Sequence, residues 1–423
     1  MMRDALYGAP WLSAMARVFE QAGAPLYIVG GAVRNPLMGL PISDVDVCGP
    51  TRPEDVCAFC EGTEIRAHLR AAHFGTVELH MTDADGKHHM AEYTTWREDS
   101  YRCGHRPESV KFTNDIRVDA RRRDFSVNAL YRRAHDGWLG DVLDPTGGLR
   151  HMRLGVLHTV TRDPDQVLGD DGLRILRAAR FQAEMDLKPT EALVQSLARN
   201  AHLLGEIACE RLRDELQKTL MADLRYPMLS RRFPASASGL LTIRNCGAWP
   251  YLFGKMGFDD EAVHVLIRLH AALPVRMALL LHRENHKDVE NAMLRMRFSV
   301  KEARQAADCV KAVQSETLSL FEQVKLGRDA LESALAIFRA LQDEASVHRM
   351  ESLLQSLEGK PMTLRELAVN GSDVKPLFEE YSLPMREMGG LLENLWRGAV
   401  EGEWPNEAAS LLEAARQMMN KRC

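Results

Sequence analysis

The chain has 423 residues, enough for two to four structural units at about 150 residues each. Its 45% hydrophobic and 27% charged content is that of an ordinary globular protein, and no apolar run approaches the roughly 18 residues of a membrane span. A net charge of −5 excludes a generally basic coat, so any RNA-binding surface has to be local.

In chain order, Trp11, Met15, Val18 and Phe19 fall at helical spacing, without the basic-then-apolar layout of a signal peptide. Leu26-Tyr27-Ile28-Val29 predicts a strand. Gly30-Gly31 follows, then Ala32-Val33-Arg34, then Asp44 and Asp46. Adjacent glycines let a backbone approach a phosphate, and the amides of a following helix favour anions. Two aspartates at i and i+2 on a strand share a face, so both carboxylates can serve one pair of divalent cations. Cys57-x-x-Cys60 reads as two residues on a helix, and eight scattered cysteines point to a reduced, cytosolic protein. Residues 75–81 and 88–96 predict strands joined by a turn at Asp85-Gly86. Residues 97–107 are too polar and irregular for either element and read as a mobile loop. Ser109-Val110-Lys111-Phe112 resumes a strand, residues 117–124 concentrate four arginines beside acids, and residues 141–144 form another short strand.

From about residue 156 the pattern turns helical. Leu173, Leu176 and Phe181 mark one apolar face; Leu212, Leu216 and Leu220 mark another. Pro234 suggests a joint, and Leu266, Leu269, Leu273, Met277 and Leu280 then continue the helical spacing. Residues 352–361, with Gly359 and Pro361, read as a second joint. A turn at residues 368–373 places Ser372 to cap a last helical segment. The fold class is α+β: a small α/β head followed by a long helical stretch.

Three constellations carry chemistry. Asp44 and Asp46, so close after Gly30-Gly31 and Arg34, read as a metal pair under a nucleoside triphosphate; Glu92 on the neighbouring hairpin is a third carboxylate or simply a solvated strand residue. Arg121-Arg122-Arg123 flows into the apolar pattern Phe125, Val127, Ala129, so at least one arginine points inwards, towards phosphate or an acid. Asp170-Asp171-Gly172-Leu173-Arg174 continues to Arg177 and Arg180, three arginines down one side of a helix. The plain reading of its start is an ion pair, Asp170 or Asp171 with Arg174. The sharper one is that an acceptor-only Asp beside a donor-only Arg matches the edges of cytosine and adenine and mismatches uracil and guanine.

In this order the motifs resemble the class II tRNA nucleotidyltransferase and poly(A) polymerase family, specifically bacterial CCA-adding enzymes. The likeness rests on Gly30-Gly31-Ala32-Val33-Arg34, Asp44-Val45-Asp46, Arg122-Arg123-Asp124-Phe125 with Asn128-Ala129, Asp144-Pro145 with Gly147-Gly148, and Asp171-Gly172-Leu173-Arg174 through Arg180-Phe181. Glu210-Arg211 and Leu367-Ala368-Val369-Asn370-Gly371 extend it. The resemblance implies a nucleotidyltransferase head of the DNA polymerase β superfamily type (residues 1–155) and an all-helical neck that recognises the base (156–232). A body (233–358) and a tail (359–423) would bind tRNA. It implies Mg²⁺ on Asp44 and Asp46, with Gly31, Arg34, Arg123, Arg177 and Arg180 at the nucleotide. Asp171 and Arg174 would be a protein template for C and A, and the loop at 97–106 would assist the switch between them. The activity implied is addition of C, C and A to the 3′ end of tRNA from CTP and ATP, in the cytoplasm and without a membrane. A poly(A) polymerase of the same family, and a catalytically silent RNA-binding protein on this scaffold, are the alternatives. Asn35, Asp170, Gly172 and Ser126 depart from the family's usual Asp, Glu, helical residue and Thr, and Gly172 is expected to weaken the template helix by ~1 kcal/mol. His264, His270 and His282 come without a His-Asp pair, so a phosphohydrolase domain is not expected.

Overall fold

The structure, a computed structural model, describes residues 6, 9–42, 44–101, 108–230 and 234–420. It divides into two compact units, Met1–Gly254 and Lys255–Cys423.

The first unit opens with α1 (Pro10–Gln21), β1 (Leu26–Val29), α2 (Gly31–Leu37), β2 (Asp46–Gly49) and α3 (Pro53–Cys60). Next come β3 (Arg66–Ala71), β4 (Thr76–Thr82), β5 (His88–Thr95), β6 (Arg97–Ser100) and β7 (Ser109–Phe112), then α4 (Ile116–Arg121), β8 (Tyr131–His135) and β9 (Trp138–Leu143). Among the described residues one mixed sheet of seven strands runs β3-β4-β5-β2-β1-β8-β9, with β2 and β5 the parallel pair. Outer strand β4 alternates, burying Val77, Leu79 and Met81, whereas β1 and β2 at the centre are closed in on both faces and read as near-continuous apolar runs. One face packs Met15 and Phe19 of α1 and Val56 of α3 against Ile28, Val47, Leu79 and Tyr93. The other carries a smaller cluster around Val29, Cys48, Trp96 and Tyr131. The Asp85-Gly86 turn is present, with Asp83 Oδ1 accepting from the amides of Asp85 and Lys87.

Residues 97–100 are not the loop their polarity suggested. Residues Arg97–Ser100 form β6, which pairs antiparallel with β7, and its charges are satisfied internally: Arg97 Nε donates to Asp99 Oδ1 at 2.7 Å. Residues 102–107, and with them half of the proposed switching loop, lie outside the described residues.

The helical part begins with α5 (Gly148–Arg153), α6 (Pro164–Asp170) and α7 (Arg174–Met185). It continues with α8 (Glu191–Asn200), α9 (Cys209–Leu220), α10 (Ala222–Arg225), α11 (Pro227–Ser230) and α12 (Ala235–Asn245), and α7 packs against α9 and α12. Gly148 lets α5 close over the turn at residues 126–128, since a Cβ there would lie 2.3 Å from the Ser126 carbonyl oxygen. Asp144 caps the same helix through the amides of Gly148 and Leu149, so the Asp144-Pro145/Gly147-Gly148 motif is structural.

In the second unit the apolar series from Leu266 to Leu280 is not one helix. A single turn at Leu266–Arg268 ends at Leu269, and a new helix runs Leu273–Leu280 with Pro274 in its first turn, where a missing N–H costs nothing. The expected cap at Ser372 is also displaced: Asn370 caps the helix Gly371–Glu380 in a capping box with Asp373, and Ser372 only donates its amide to Asn370. That unit has its own core, including Phe321, Leu331, Phe338, Leu395 and Trp396. No helix of the described residues is long and apolar enough to cross a membrane.

Candidate active site

Strand pairing places Val29, the last residue of β1, opposite Asp46, the first of β2, so the Gly30-Gly31 turn lies beside the aspartates. Asp44 sits two residues before the strand rather than on it. Gly30 has φ 67°, and a Cβ on it would come 3.1 Å from Asn128 Oδ1; the turn requires glycine. A Cβ on Gly31 would meet Arg34 Nη2 at 3.6 Å, narrowing the space that a phosphate would take.

Arg34 is 6% exposed. Its Nε and Nη2 donate to Asn35 Oδ1 at 3.1 and 2.8 Å, and its Nη1 donates to Asn128 Oδ1 at 2.9 Å. Asn35 is fixed in turn by donating Nδ2 to the Pro41 carbonyl at 2.8 Å. Among the described residues no carboxylate bonds to Arg34. Burial, with Arg180 pushing in the same direction, lowers the guanidinium to about 10, still charged at neutral pH. A buried cation held only by amides is an incomplete pair awaiting an anion. This also gives Asn35 a role: it aims the guanidinium without neutralising it.

Asp44 and Asp46 are exposed, and neither carboxylate enters a hydrogen bond or ion pair among the described residues. Asp46 is open to solvent, but the protein packed around it reduces its hydration and raises it above the usual carboxylate range; Arg123 opposes this and Asp44 adds to it. Glu92 stands directly across from Asp46 in the parallel pair, and burial, Asp46 and Glu78 raise it too. Among the described residues no three His, Cys, Asp or Glu side chains gather to hold an ion, so the site offers a carboxylate pair rather than a closed cage. Two carboxylates beside a phosphate pocket suit a hard divalent ion that keeps water and substrate oxygens as its other ligands.

The arginine run points inwards. Arg122 and Arg123 both reach the fully buried Asp119, at 2.7 and 3.2 Å, and Arg123 Nε donates to Tyr131 Oη at 2.9 Å. Burial alone would raise Asp119, but the two guanidiniums outweigh it and hold the carboxyl below its ordinary range.

The helix over residues 170–180 is broken where Gly172 stands. Asp171 lies between α6 and α7 in extended conformation, and α7 begins at Arg174. Gly172 is a site of close approach: a Cβ would lie 2.8 Å from Leu203 Cβ and 3.2 Å from that residue's backbone. Asp171 does not pair with Arg174. Its Oδ1 accepts from the Leu173 amide at 3.1 Å and its Oδ2 from Arg211 at 2.7 Å. Arg174 is buried and donates to the carbonyls of Val167 and Arg122 at 2.8 and 2.6 Å, joining the helical part to the head. The ion pair with Asp170 is loose, at 3.7 Å.

Further along α7, Arg177 Nε donates to Asp124 Oδ2 at 2.7 Å, while Arg180 bonds Glu215 and Glu184 at 2.6 and 2.7 Å. Burial would raise Asp124, but Arg177 and Arg174 drive it far below the usual range. Arg34, Arg177 and Arg180 all lie within 4.5–5.2 Å of the Phe181 ring centroid.

Two cavities adjoin along this row. One of about 280 Å³ is lined by Gly31, Arg34, Asp44, Asp46, Arg180 and Phe181. The other, about 500 Å³, is lined by Arg122, Arg123, Asp171, Arg174, Arg211 and Tyr101. Asn128 and Arg177 belong to both. All nine residues singled out from the sequence thus line one cavity or the other. Sequence reasoning assigned no role to Asn128, Asp124, Glu215 or Arg211. Asn128, Asp124 and Arg211 stood inside motifs, but that Asn128 holds Arg34 and Arg211 holds Asp171 depends on long-range contacts. The Ser126 departure is accommodated: its hydroxyl meets His151 Nδ1 at 2.7 Å and the His158 carbonyl at 3.2 Å.

Residues 26–158 match the Poly A polymerase head domain family and residues 275–415 the tRNA nucleotidyltransferase domain 2 family. A CCA-adding enzyme of Geobacillus stearothermophilus is 30% identical over 402 residues, covering 92% of each chain. A crystal structure of a Bacillus stearothermophilus CCA-adding enzyme in complex with CTP superposes with a TM-score of 0.74 at 26% identity, covering 100% of this chain and 99% of that one. The fold is shared with a Thermotoga maritima CCA-adding enzyme complexed with tRNA, at TM-score 0.63 and 18% identity over 97% and 95% of the two chains.

Proposed function

The chain belongs to the CCA-adding enzyme family, and from that premise we propose that it adds C, C and A in turn to the 3′ end of tRNA, from CTP and ATP and without a nucleic-acid template. One juxtaposition carries the reading: a buried, amide-held Arg34 facing two unengaged carboxylates, in a cavity continuous through Arg177 and Asn128 with the one that holds Asp171 and Arg174.

The triphosphate lies along Gly31, Arg34 and Arg180, where guanidiniums supply paired donors and Phe181 keeps them in place. Asp44 and Asp46 would hold Mg²⁺, which when bound lowers the pKa of a terminal hydroxyl and stabilises the departing pyrophosphate. Arg123 is anchored to Asp119 and Tyr131, so it acts as a fixed positive charge behind Asp46 rather than a mobile ligand. The base enters the larger cavity. A carboxylate has about four acceptor sites and a guanidinium five N–H donors, so Asp171 and Arg174 keep unused capacity of opposite sense for cytosine or adenine. Arg211 holds the Asp171 carboxylate in orientation. The body and tail, residues 233–358 and 359–423, would grip the acceptor arm in a cytoplasmic, reducing setting; the described cysteines are all free.

The test is incorporation into a tRNA lacking its last three nucleotides, with CTP alone, ATP alone and both. Ordered addition of C, C and A is expected. Ladders from ATP alone would favour a poly(A) polymerase, and no incorporation with Mg²⁺ a silent RNA-binding protein. In the same assay Asp171→Ala is expected to relax base choice more than it slows a correct addition; equal loss for all four nucleotides would refute the protein template.

A further inference from the structure

The outer strands β3, β4 and β5 bury Val77, Leu79, Met81 and Ala91 on one face. The alternate residues, His68, Glu78, His80, His88 and Met90, stand on the other. His80 and His88 sit on adjacent strands in diagonal register, His80 opposite Met90 and Thr82 opposite His88. Their Nδ1 and Nε2 atoms face each other at 3.2 Å. The remaining nitrogen of His80, Nε2, lies 3.2 Å from Glu78 Oε2, and Glu78 Oε1 is held by Arg70 Nε at 2.9 Å. The His68 ring meets His80 edge-on at 5.4 Å.

We propose that His80 and His88 form a two-imidazole site for a borderline divalent transition ion, Zn²⁺ or Cu²⁺, with Glu78 as its orienting carboxylate. An ionised carboxylate only accepts, so Glu78 fixes the proton of His80 on Nε2 and leaves the Nδ1 lone pair turned to His88. Two nitrogens 3.2 Å apart, each about 2.0–2.1 Å from one ion, subtend roughly 100° at it, close to tetrahedral. The ladder between β4 and β5 sets the spacing of the two backbones, and the rings lie near-parallel with centroids 5.3 Å apart, so a tilt of each ring turns both lone pairs to one ion. In its absence the same contact is a hydrogen bond from His88 Nε2–H to His80 Nδ1; when the ion binds, that proton is exchanged through water and His88 takes its neutral Nδ1–H tautomer. No third His, Cys, Asp or Glu among the described residues completes the set, so the other positions are open to water, and binding is weaker than in a closed structural site.

The site is separate from the catalytic pair. Asp46 stands across from Glu92, and Glu92 across from Glu78, so two strand spacings, about 10 Å, intervene. The ligand types separate them as well: imidazole suits Zn²⁺ and Cu²⁺, whereas carboxylates beside phosphate suit Mg²⁺.

Titration of the full chain with Zn²⁺ by calorimetry, in excess Mg²⁺, tests the proposal. The wild-type chain is expected to bind one Zn²⁺ that His88→Ala loses or binds at least tenfold more weakly. Glu78→Gln should weaken it by about 10–100-fold, and Asp44→Asn should leave it unchanged. His88 is exposed on its strand, so this variant retains the fold, which circular dichroism verifies. Electron paramagnetic resonance with Cu²⁺ gives a second readout, a two-nitrogen signature absent from His88→Ala. Equal Zn²⁺ binding by wild type and His88→Ala, or loss of the ion in Asp44→Asn, would overturn the proposal.

Discussion

Arg34 shows how one buried residue can be prepared for a ligand. Its neighbours are amides, so its charge is oriented but not cancelled. Asn35→Ala is expected to cost about 1–3 kcal/mol in a denaturant titration, because it leaves the Pro41 carbonyl unpaired and Arg34 loose. It should also raise KM for the nucleotide more than it lowers kcat. The aspartates behave oppositely. Asp44 and Asp46 are exposed and unpaired among the described residues, so alanine at either should leave Tm nearly unchanged. Incorporation should fall by on the order of 10³-fold, the effect of losing several kcal/mol of metal-borne stabilisation. The sequence exposed both features by residue type and spacing. It did not expose Asn128, because a partner 94 residues from Arg34 leaves no local signal.

At the level of elements, the row Arg174, Arg177 and Arg180 was legible, since helical periodicity needs no knowledge of the partner. What each arginine does was not. Arg174 spans to the carbonyl of Arg122, Arg177 pairs with Asp124, and Arg180 stays among the glutamates of the helical part. The break at Gly172 was misjudged for a similar reason. Propensity treats glycine there as a weakened helix, whereas the chain has already left α6 and needs room beside Leu203. Gly172→Ala is therefore expected to cost about 1–3 kcal/mol through overpacking, read from the denaturation midpoint, and to disturb base choice by shifting Asp171. The strand β6 makes the converse point. Its composition is that of a loop, but Arg97 and Asp99 satisfy each other and backbone pairing with β7 supplies the order.

Across the Met1–Gly254 unit, acid stability depends on two buried carboxylates, Asp119 inside the head and Asp124, which ties the head to α7. Asp119 and Asp124 both titrate below their unfolded values. Their contribution is complete above about pH 4, the unfolded carboxylate value, and is lost as pH falls through the lower folded values. Tm measured from pH 7 to pH 2 should fall steeply below about pH 4. Asp124→Asn, which leaves Arg177 only the Glu215 carboxylate at 3.7 Å, should lower Tm at pH 7 and flatten that fall. The sequence by itself determined the fold class, the order of motifs and the residue types of the site, because periodicity, glycine placement and acceptor or donor character are local properties. Only the tertiary structure decided which of these groups are free to act: among the described residues Arg34 and the two aspartates have no directly bonded counter-charge, while Arg174 and Asp171 are tied by partners from distant segments. Hydrogen-bond satisfaction is settled by what the fold brings within about 3 Å, and one chain position says little about that.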